Sequence, residues 1–321
     1  MILTVTINPL LEQRFTFTKV SPVVQNRNGK VQLAAGGKGI NVNRQLNNLN
    51  LQNIALTFAG GTFGKLFRES IRNEGIDFSL INTHSDTRIC SVIIDSEEKN
   101  ISYYFSENQT ISKVEIDNFI VKMQKMIQNC AIVIFSGSSP CKEADKIFPA
   151  GIEMANKYDK ISICDTYGRH LETCYSASPS VVHNNVEEVV NSLKINLSDE
   201  KEKILFLDSL YSRGIKQVYL TDGDKNYYAS NFDFHYKVSV PNLEGIDSTG
   251  SGDAFVAGIA FGWHNNLVFE EQIKFATALG AVNAKMINVC NVPEDEARKL
   301  IGSVEVHPIG KKIKTIDDTP D

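Results

Sequence analysis

The sequence predicts an α/β protein with a doubly wound, mainly parallel sheet, helices on both faces, and a small antiparallel sheet at one edge. Short β-rich runs alternate with helical stretches along most of the 321-residue chain, and repeated β-then-α units are typical of parallel sheets. Two early alternating runs have no helix after them, which favours a separate antiparallel piece. With 42% apolar and 22% charged residues, the composition is ordinary for a globular protein.

The predicted elements follow from apolar runs bounded by turn residues and from apolar residues at helical spacing. In the first part they are strands at 2–7, 15–20, 30–35 and 54–60, helices at 40–49 and 65–73, and a hairpin of strands at 90–95 and 101–106. In the second part they are strands at 131–137, 160–165, 180–184 and 217–223, two long helices from 251 to about 289, and a last helix at 293–301.

These elements predict one domain over residues 1–310, followed by a loose C-terminal tail at 311–321. The small sheet is expected from about 12–35 and 87–106. In a doubly wound fold, ligands bind at the carboxyl ends of the strands. Functional residues are therefore expected at strand ends.

Charge and cysteine usage narrow the class of protein. A net charge of −5 gives no reason to expect nucleic acid or an anionic membrane as partner. The six cysteines are scattered, as reduced thiols of a cytosolic protein are. No apolar run approaches the length of a membrane span, and the opening MILTVTIN has no basic segment of a signal peptide. We expect a cytoplasmic protein.

Several chemistries fit poorly. GGTFGKL (60–66) is similar to a Walker loop, but Ala59 stands where the first glycine belongs and Leu66 follows Lys65 in place of Ser or Thr. GSGDAF lacks the third glycine of a dinucleotide fingerprint. No two histidines have metal-ligand spacing, and no GxSxG elbow occurs. Zinc and serine hydrolases are therefore disfavoured.

The segment AAGGKGINVNR (34–44) joins a predicted strand to a predicted helix. Its adjacent glycines, one of them Gly37, let a ligand approach the backbone, and Lys38 offers a cation. Asn41 lies on the first turn of the following helix. The segment is a ligand-binding candidate, with a plain strand-to-helix turn as the alternative.

The segment DSTGSGDAF (247–255) precedes a long apolar helix. If that helix begins near Gly250, the N–H groups of Gly250, Ser251 and Gly252 point outward unpaired and, with the helix dipole, form an anion site. Asp253 then stands beside the anion, where it can accept a proton from an attacking hydroxyl. The alternative is an aspartate that only stabilises the helix N-terminus.

Taken together, GGKGINV and, about 200 residues later, DSTGSGDAF resemble the two signatures of the ribokinase-like (PfkB) carbohydrate kinases. Shorter matches follow in the family's order: VTINP, NR at 26–27, TR at 87–88, SGSSP, NNVEE and TDG. The arrangement is most similar to the branch of 1-phosphofructokinase and tagatose-6-phosphate kinase.

The resemblance implies ATP and Mg²⁺ as cofactors, and Asp253 as catalytic base beside an anion hole of Gly250, Ser251 and Gly252. The implied sugar site contains Gly37, Lys38, Asn41 and Ser138, with Lys38, Arg27 and Arg88 available for a phosphate already on the substrate. The implied nucleotide site contains Asn185, Thr221, Gly223 and Asn283, and Glu188 would reach Mg²⁺ through water. The small sheet would be a lid over the sugar, which in this family can also form a homodimer contact.

Two departures from the family pattern concern the substrate. Glu12 stands where the family's opening has an aspartate that binds sugar hydroxyls, and it reaches one methylene further. His183 replaces the lysine of the family's KPN, so a fixed positive charge near the anionic site is lost.

These observations predict ATP-dependent phosphorylation of a hydroxyl on a phosphorylated ketose, of the fructose 1-phosphate or tagatose 6-phosphate class. One alternative is a kinase of an unphosphorylated sugar or nucleoside. A second, motivated by Glu12 and His183, is a catalytically weak sensor that binds sugar phosphate.

Overall fold

The computed structural model describes residues 1–311 except 233, 242 and 244. Its main feature is a ten-stranded sheet with the order β14-β13-β12-β11-β10-β9-β8-β1-β4-β5. The strands from β11 to β5 run parallel, whereas β12, β13 and β14 are added antiparallel at one edge. These strands are β1 (Ile2–Thr6), β4 (Asn53–Gly60), β5 (Phe78–Thr83), β8 (Ile132–Gly137), β9 (Ile161–Thr166), β10 (Val181–Asn185), β11 (Gln217–Thr221), β12 (Tyr227–Asn231), β13 (Phe234–Ser239) and β14 (Glu305–Lys311).

A second sheet of four strands has the order β3-β2-β6-β7, and we call it the lid sheet. Its two outer pairs are antiparallel, and its central pair, β2 with β6, is parallel. The strands are β2 (Leu10–Phe17), β3 (Lys30–Gly36), β6 (Arg88–Asp95) and β7 (Asn100–Phe105).

Helices cover both faces of the large sheet. They are α1 (Lys38–Asn48), α2 (Gly61–Asn73), α3 (Lys113–Gln128), α4 (Ile147–Lys157), α5 (Leu171–Ser176), α6 (Val186–Leu193), α7 (Glu200–Ser212), α8 (Ser251–His264), α9 (Phe269–Asn283) and α10 (Glu294–Leu300). One buried apolar cluster lies between the sheet and α3 to α7, and another lies under α1, α8 and α9. Because apolar side chains fill both faces, the parallel strands read as nearly continuous apolar runs.

The predicted fold class is confirmed, with corrections in detail. The second strand was expected to begin at 15 but begins at Leu10, because Leu10 and Leu11 continue in extended conformation and are buried. Strands β5, β12, β13 and β14 were not predicted. They lie toward the two ends of the large sheet, and β5 and β13 are largely half-buried and mix polar with apolar residues, so the pattern of these two strands is weak.

Residues 60–66, which are similar to a Walker loop, open α2 as an ordinary helix start. Of the predicted tail, Lys311 ends β14 and residues 312–321 lie outside the described part of the chain. Within the described residues, no helix is both long and apolar enough to cross a membrane.

Candidate active site

The candidate site lies at the carboxyl ends of the parallel strands. Strand β1 is central, with β4 on one side and β8 on the other, so the connections leave in opposite directions from this point. Asn8, just after β1, donates from Nδ2 to Oγ of Ser138, just after β8, at 2.9 Å. The two loops at the topological switch point are thus joined directly.

Helix α8 begins at Ser251 and points its N-terminus into this edge. Its N-cap is Gly250, at φ 78°, a left-handed conformation that glycine adopts without strain. The Ser251 amide donates to the Ser248 carbonyl at 3.1 Å, so the expectation that this amide is unpaired was wrong. The amides of Gly250 and Gly252 have no hydrogen-bond partner among the described residues. Two amides of the predicted trio are therefore free to bind an anion.

Asp253 lies on the first turn of α8 and is only 4% exposed. Asn41, on the first turn of α1, donates from Nδ2 to Asp253 Oδ2 at 2.7 Å. Burial raises the pKa of Asp253 to about 7, with Asp165 and Glu188 acting in the same direction and Lys38 and the Asn41 bond against it. A carboxyl group with this pKa can take up a proton near neutral pH.

Lys38 is surrounded by carboxylates. Its Nζ lies 2.6 Å from Oε1 of Glu188 and 3.2 Å from Oδ1 of Asp165. Burial acts to lower the Lys38 pKa, but these carboxylates outweigh burial and the pKa is raised. Lys38 and His183 hold the pKa of the fully buried Asp165 below its ordinary value, against the effect of burial. The Lys38 ammonium therefore faces the carboxylates of the site, and its predicted contact with a substrate phosphate stays a prediction.

His183 lies directly beneath the N-terminus of α8. Its Nδ1 is 2.9 Å from Asp165 Oδ1, and its Nε2 is 3.3 Å from Oγ1 of Thr221. The ring packs against Phe255, with 5.0 Å between centroids, and a Cβ on Gly252 would stand 3.2 Å from Cε1. His183 is therefore held in the interior by Asp165 and does not extend toward an anion as a free lysine would.

Glu188 and Asn185 form a capping box at the start of α6. Asn185 Oδ1 accepts from the Glu188 amide at 2.7 Å, and Glu188 Oε2 accepts from the Asn185 amide at 3.2 Å. Among the described residues, no three His, Cys, Asp or Glu side chains form a group that could hold a metal ion. The carboxylates of Glu188, Asp165 and Asp253 nevertheless outnumber the single ammonium of Lys38, and oxygen donors that leave room for waters suit Mg²⁺.

Glu12 lies on the inner face of the lid sheet, beside the start of α1. Its Oε2 accepts from Arg14 Nη1 at 2.8 Å, and Arg14 also donates from Nη2 to the Ile287 carbonyl at 3.1 Å. A Cβ on Gly36 would stand 3.0 Å from Glu12 Oε1. The longer glutamate is therefore fixed by an arginine of the same strand and lies close beneath the glycine loop.

Arg88 lies at the start of β6, next to the loop after β1. It donates from Nη2 to the Asn8 carbonyl at 3.0 Å and from Nη1 to Asn108 Oδ1 at 3.2 Å, and its guanidinium lies 5.8 Å from the centre of the Phe105 ring. Its buried Nε and the Asn8 Oδ1 have no partner among the described residues. Two buried polar atoms without partners are suited to a polar ligand or bound water.

Arg27 and Gly223 are not brought into this group, whereas Asn283 lies at its edge and donates from Nδ2 to Ser251 Oγ at 3.2 Å. Arg27 lies in an exposed loop, where its guanidinium contacts only Gln25 among the described residues. Asn283 is 1% exposed and fastens the turn before α8 by donating to the Thr249 carbonyl at 2.8 Å. Gly223 lies in the turn after β11 at φ 63°. Nucleotide contacts of Asn283 and Gly223, and a phosphate contact of Arg27, stay predictions.

Sequence reasoning missed four residues of the site: Asp165, Asn8, Asn108 and Arg14. Asp165 could have been predicted, since it lies near the carboxyl end of a predicted strand. Glu188, which was predicted, likewise follows the carboxyl end of the next strand. Asn108 and Arg14 gave no such signal, because they reach the site only through the placement of the lid sheet.

Comparison with known proteins identifies a family. A model of the pfkB family carbohydrate kinases matches residues 10–296. A tagatose-6-phosphate kinase of Staphylococcus epidermidis is 26% identical over 309 residues, covering 95% of this chain and 99% of the relative.

Solved structures share the fold. A Thermotoga maritima protein named as a possible 1-phosphofructokinase superposes with a TM-score of 0.86 at 23% identity, covering 96% of this chain and 99% of the other. Phosphofructokinase-2 from Escherichia coli, solved with potassium, superposes with a TM-score of 0.85 at 19% identity, covering 94% and 98%. The family match spans most of the sequence and includes both glycine-rich motifs that build the site. The chain belongs to the pfkB family of carbohydrate kinases and is a carbohydrate kinase.

Proposed function

We propose that this single-domain enzyme transfers the γ-phosphoryl group of ATP to a hydroxyl of a phosphorylated ketose, of the tagatose 6-phosphate or fructose 1-phosphate class. The observation that carries the proposal is the placement of Asp253, buried at the N-terminus of α8 beside the free amides of Gly250 and Gly252. The names of the similar proteins, tagatose-6-phosphate kinase and 1-phosphofructokinase, support the substrate class.

The chemical step follows from these groups. The oxygen of the acceptor hydroxyl attacks the γ-phosphorus in line while Asp253 accepts the proton of that hydroxyl. ADP leaves with the electrons of the broken bond. Negative charge spreads over the transferring phosphoryl group. The amides of Gly250 and Gly252, at the positive end of the α8 dipole, stabilise that charge.

We propose that Glu188, whose carboxylate is fixed by Asn185, would hold the Mg²⁺ of the ATP complex through water. When bound, Mg²⁺ neutralises phosphate charge. Lys38 and His183 keep the neighbouring Asp165 ionised, so the site retains oxygen donors for the cation shell. Thr221, Gly223 and Asn283 are proposed to border the nucleotide.

We propose that Arg88 binds the phosphate already present on the ketose, with Glu12, Gly37, Asn41 and Ser138 lining the sugar. Arg88 keeps an unpartnered Nε close to Asn8 and Ser138, at the switch point of the sheet. Desolvation by burial lowers the pKa of Arg88, and a dianionic phosphate would compensate this cost. A neutral sugar or a nucleoside would leave the partly buried guanidinium without a counter-charge, so this alternative is less favoured.

A substrate panel tests this assignment. We expect ATP consumption with phosphorylated ketoses and much less with the same sugars lacking the phosphate. Because a hydrogen bond to a charged group contributes about 1.5–3 kcal/mol, Arg88→Ala should raise KM for the sugar phosphate roughly tenfold to a hundredfold and hardly change that for a neutral sugar. Arg169→Ala, which removes an exposed arginine paired with Asp145, is the control. Equal KM changes for both sugars would remove Arg88 from the phosphate site, and no ATP consumption across the panel would favour the sensor.

We also propose a homodimer formed through the outer face of the lid sheet. Leu33, Gln13, Ser91 and Tyr104 are paired in one row across the sheet and therefore share a face. Val31, Leu33 and Tyr104 on this face are 58%, 39% and 62% exposed. A patch of exposed apolar side chains on one face is typical of a protein–protein interface.

Sedimentation of the full chain tests the dimer. We expect a dimer for the wild type and a monomer for Leu33→Glu/Tyr104→Glu, because two-fold symmetry places each new charge in the interface twice. Val121→Glu, at an apolar residue of α3 that is 56% exposed, should leave the dimer intact. A monomeric wild type at micromolar concentration would contradict the proposal.

A further inference from the structure

We propose that Arg44 is a positioning residue for phosphoryl transfer: it fixes the orientation of the Asn41 amide, and Asn41 in turn leaves one oxygen of Asp253 free for the acceptor hydroxyl. This inference rests on the function proposed above. It assigns a role to a residue that makes no contact with Asp253 itself.

The geometry is a chain of two hydrogen bonds. Arg44 Nη1 donates to Asn41 Oδ1 at 2.8 Å, and Asn41 Nδ2 donates to Asp253 Oδ2 at 2.7 Å. Asn41 and Arg44 are three residues apart on α1 and therefore lie on one face of the helix. A guanidinium has donors only, so the Asn41 oxygen must face Arg44 and its NH₂ group must face the carboxylate.

Arg44 is itself held from several sides, which a positioning residue requires. It donates from Nε to Glu74 Oε2 at 2.6 Å, from Nη2 to the Ala35 carbonyl at 2.6 Å, and from Nη1 to the Val289 carbonyl at 3.4 Å. Glu74 also accepts from the Ala35 amide at 3.1 Å. The guanidinium thus joins the end of β3, the C-terminus of α2 and the segment after α9.

The consequence concerns the two oxygens of Asp253. Oδ2 is engaged by Asn41, whereas Oδ1 accepts no hydrogen bond from any described residue. The free Oδ1 is then the atom that takes the proton from the acceptor hydroxyl. An Asn41 amide that lost its orientation would present its oxygen to the carboxylate, repel it, and allow Asp253 to turn.

A double-mutant cycle tests this chain of two hydrogen bonds. We expect Arg44→Met to lower kcat about tenfold to a hundredfold, as misplacement of a catalytic group does. It should also move the acidic limb of the kcat/KM profile to higher pH, because a donor to the Asp253 carboxylate is lost. In an Asn41→Ala background, Arg44→Met should change kcat by less than about twofold, since the residue it positions is gone.

Controls separate positioning from folding. Arg68→Met removes another partly buried arginine, which bonds the Ala59 carbonyl and Asn82, and should leave kcat and the pH profile unchanged. If Arg44→Met unfolds because Glu74 loses its cation, the cycle is run with Arg44→Met/Glu74→Gln, in which no partly buried carboxylate is left without a cation. Thermal unfolding of each variant shows which case applies.

An equal loss of kcat in both backgrounds, or an unmoved acidic limb, would overturn the role of Arg44. A wild type without turnover, or an Asp253→Asn variant that keeps it, would instead overturn the proposed function. The two failures are distinguished because the second is measured with Arg44 intact.

Discussion

Replacing Asp253 by Asn should lower kcat by about 10²- to 10⁴-fold with every acceptor that the wild-type enzyme uses, the range that a general base contributes. The amide matches the carboxyl group in shape and can still contact Asn41, but it cannot accept the proton of the hydroxyl. Binding should change little, so the loss should appear in kcat and not in KM. Steady-state kinetics with saturating ATP measure both.

The pH dependence of the wild type provides the second half of this test. Since the pKa of Asp253 is about 7, its carboxylate form is depleted as pH falls below 7, and kcat/KM should decrease about tenfold per pH unit there. Above pH 7 the base is ionised and the rate should level off. The acidic limb should be absent in Asp253→Asn.

Asp145→Asn is the matched control, because it removes a carboxylate that pairs with Arg169 outside the site. Its rate and pH profile should equal those of the wild type. If Asp253→Asn retained more than about a tenth of wild-type kcat, Asp253 would not be the base.

The sequence was sufficient to predict the parallel part of the large sheet and the start of α8. Strands β1, β8, β9 and β10 are buried on both faces, so each reads as an apolar run between turns. Glycines followed by a long apolar stretch predict a helix start, and α8 begins at Ser251 as expected. These features can be predicted from the local sequence because the burial of a strand and the start of a helix each depend on a few consecutive residues.

The internal partners of the site could not be predicted in the same way. Lys38 was predicted to be available for a substrate phosphate, and that stays a prediction; its contacts with Asp165 and Glu188 were not predicted, and they span 127 and 150 residues of sequence. Arg14 pairs with Glu12 only because β2 is extended, and it reaches Ile287 only because the lid sheet packs onto the segment after α9. The contacts of Lys38 and the Arg14–Ile287 bond depend on tertiary packing, which no spacing rule expresses.

The turn that shapes the anion site leads to the second large expected effect. Gly250→Ala should lower kcat more than tenfold and reduce stability, for two reasons. Gly250 has φ 78°, where a side chain costs about 1–2 kcal/mol. In addition, a Cβ there would stand 2.1 Å from Val289 Cγ1, and overpacking of this kind costs about 1–3 kcal/mol. The turn must move, and the amides of Gly250 and Gly252 move with it.

Gly214→Ala separates backbone strain from the clash. Gly214 has φ 86°, and a Cβ there would meet nothing within 4 Å, so alanine should cost stability by strain alone and leave kcat unchanged. Gly250→Ala/Val289→Ala removes the clashing methyl group while the strain at Gly250 remains. It should therefore regain a large part of kcat but only part of the unfolding temperature. If Gly250→Ala kept wild-type kcat, or if Val289→Ala restored stability without kcat, the position of this turn would not set the transfer rate.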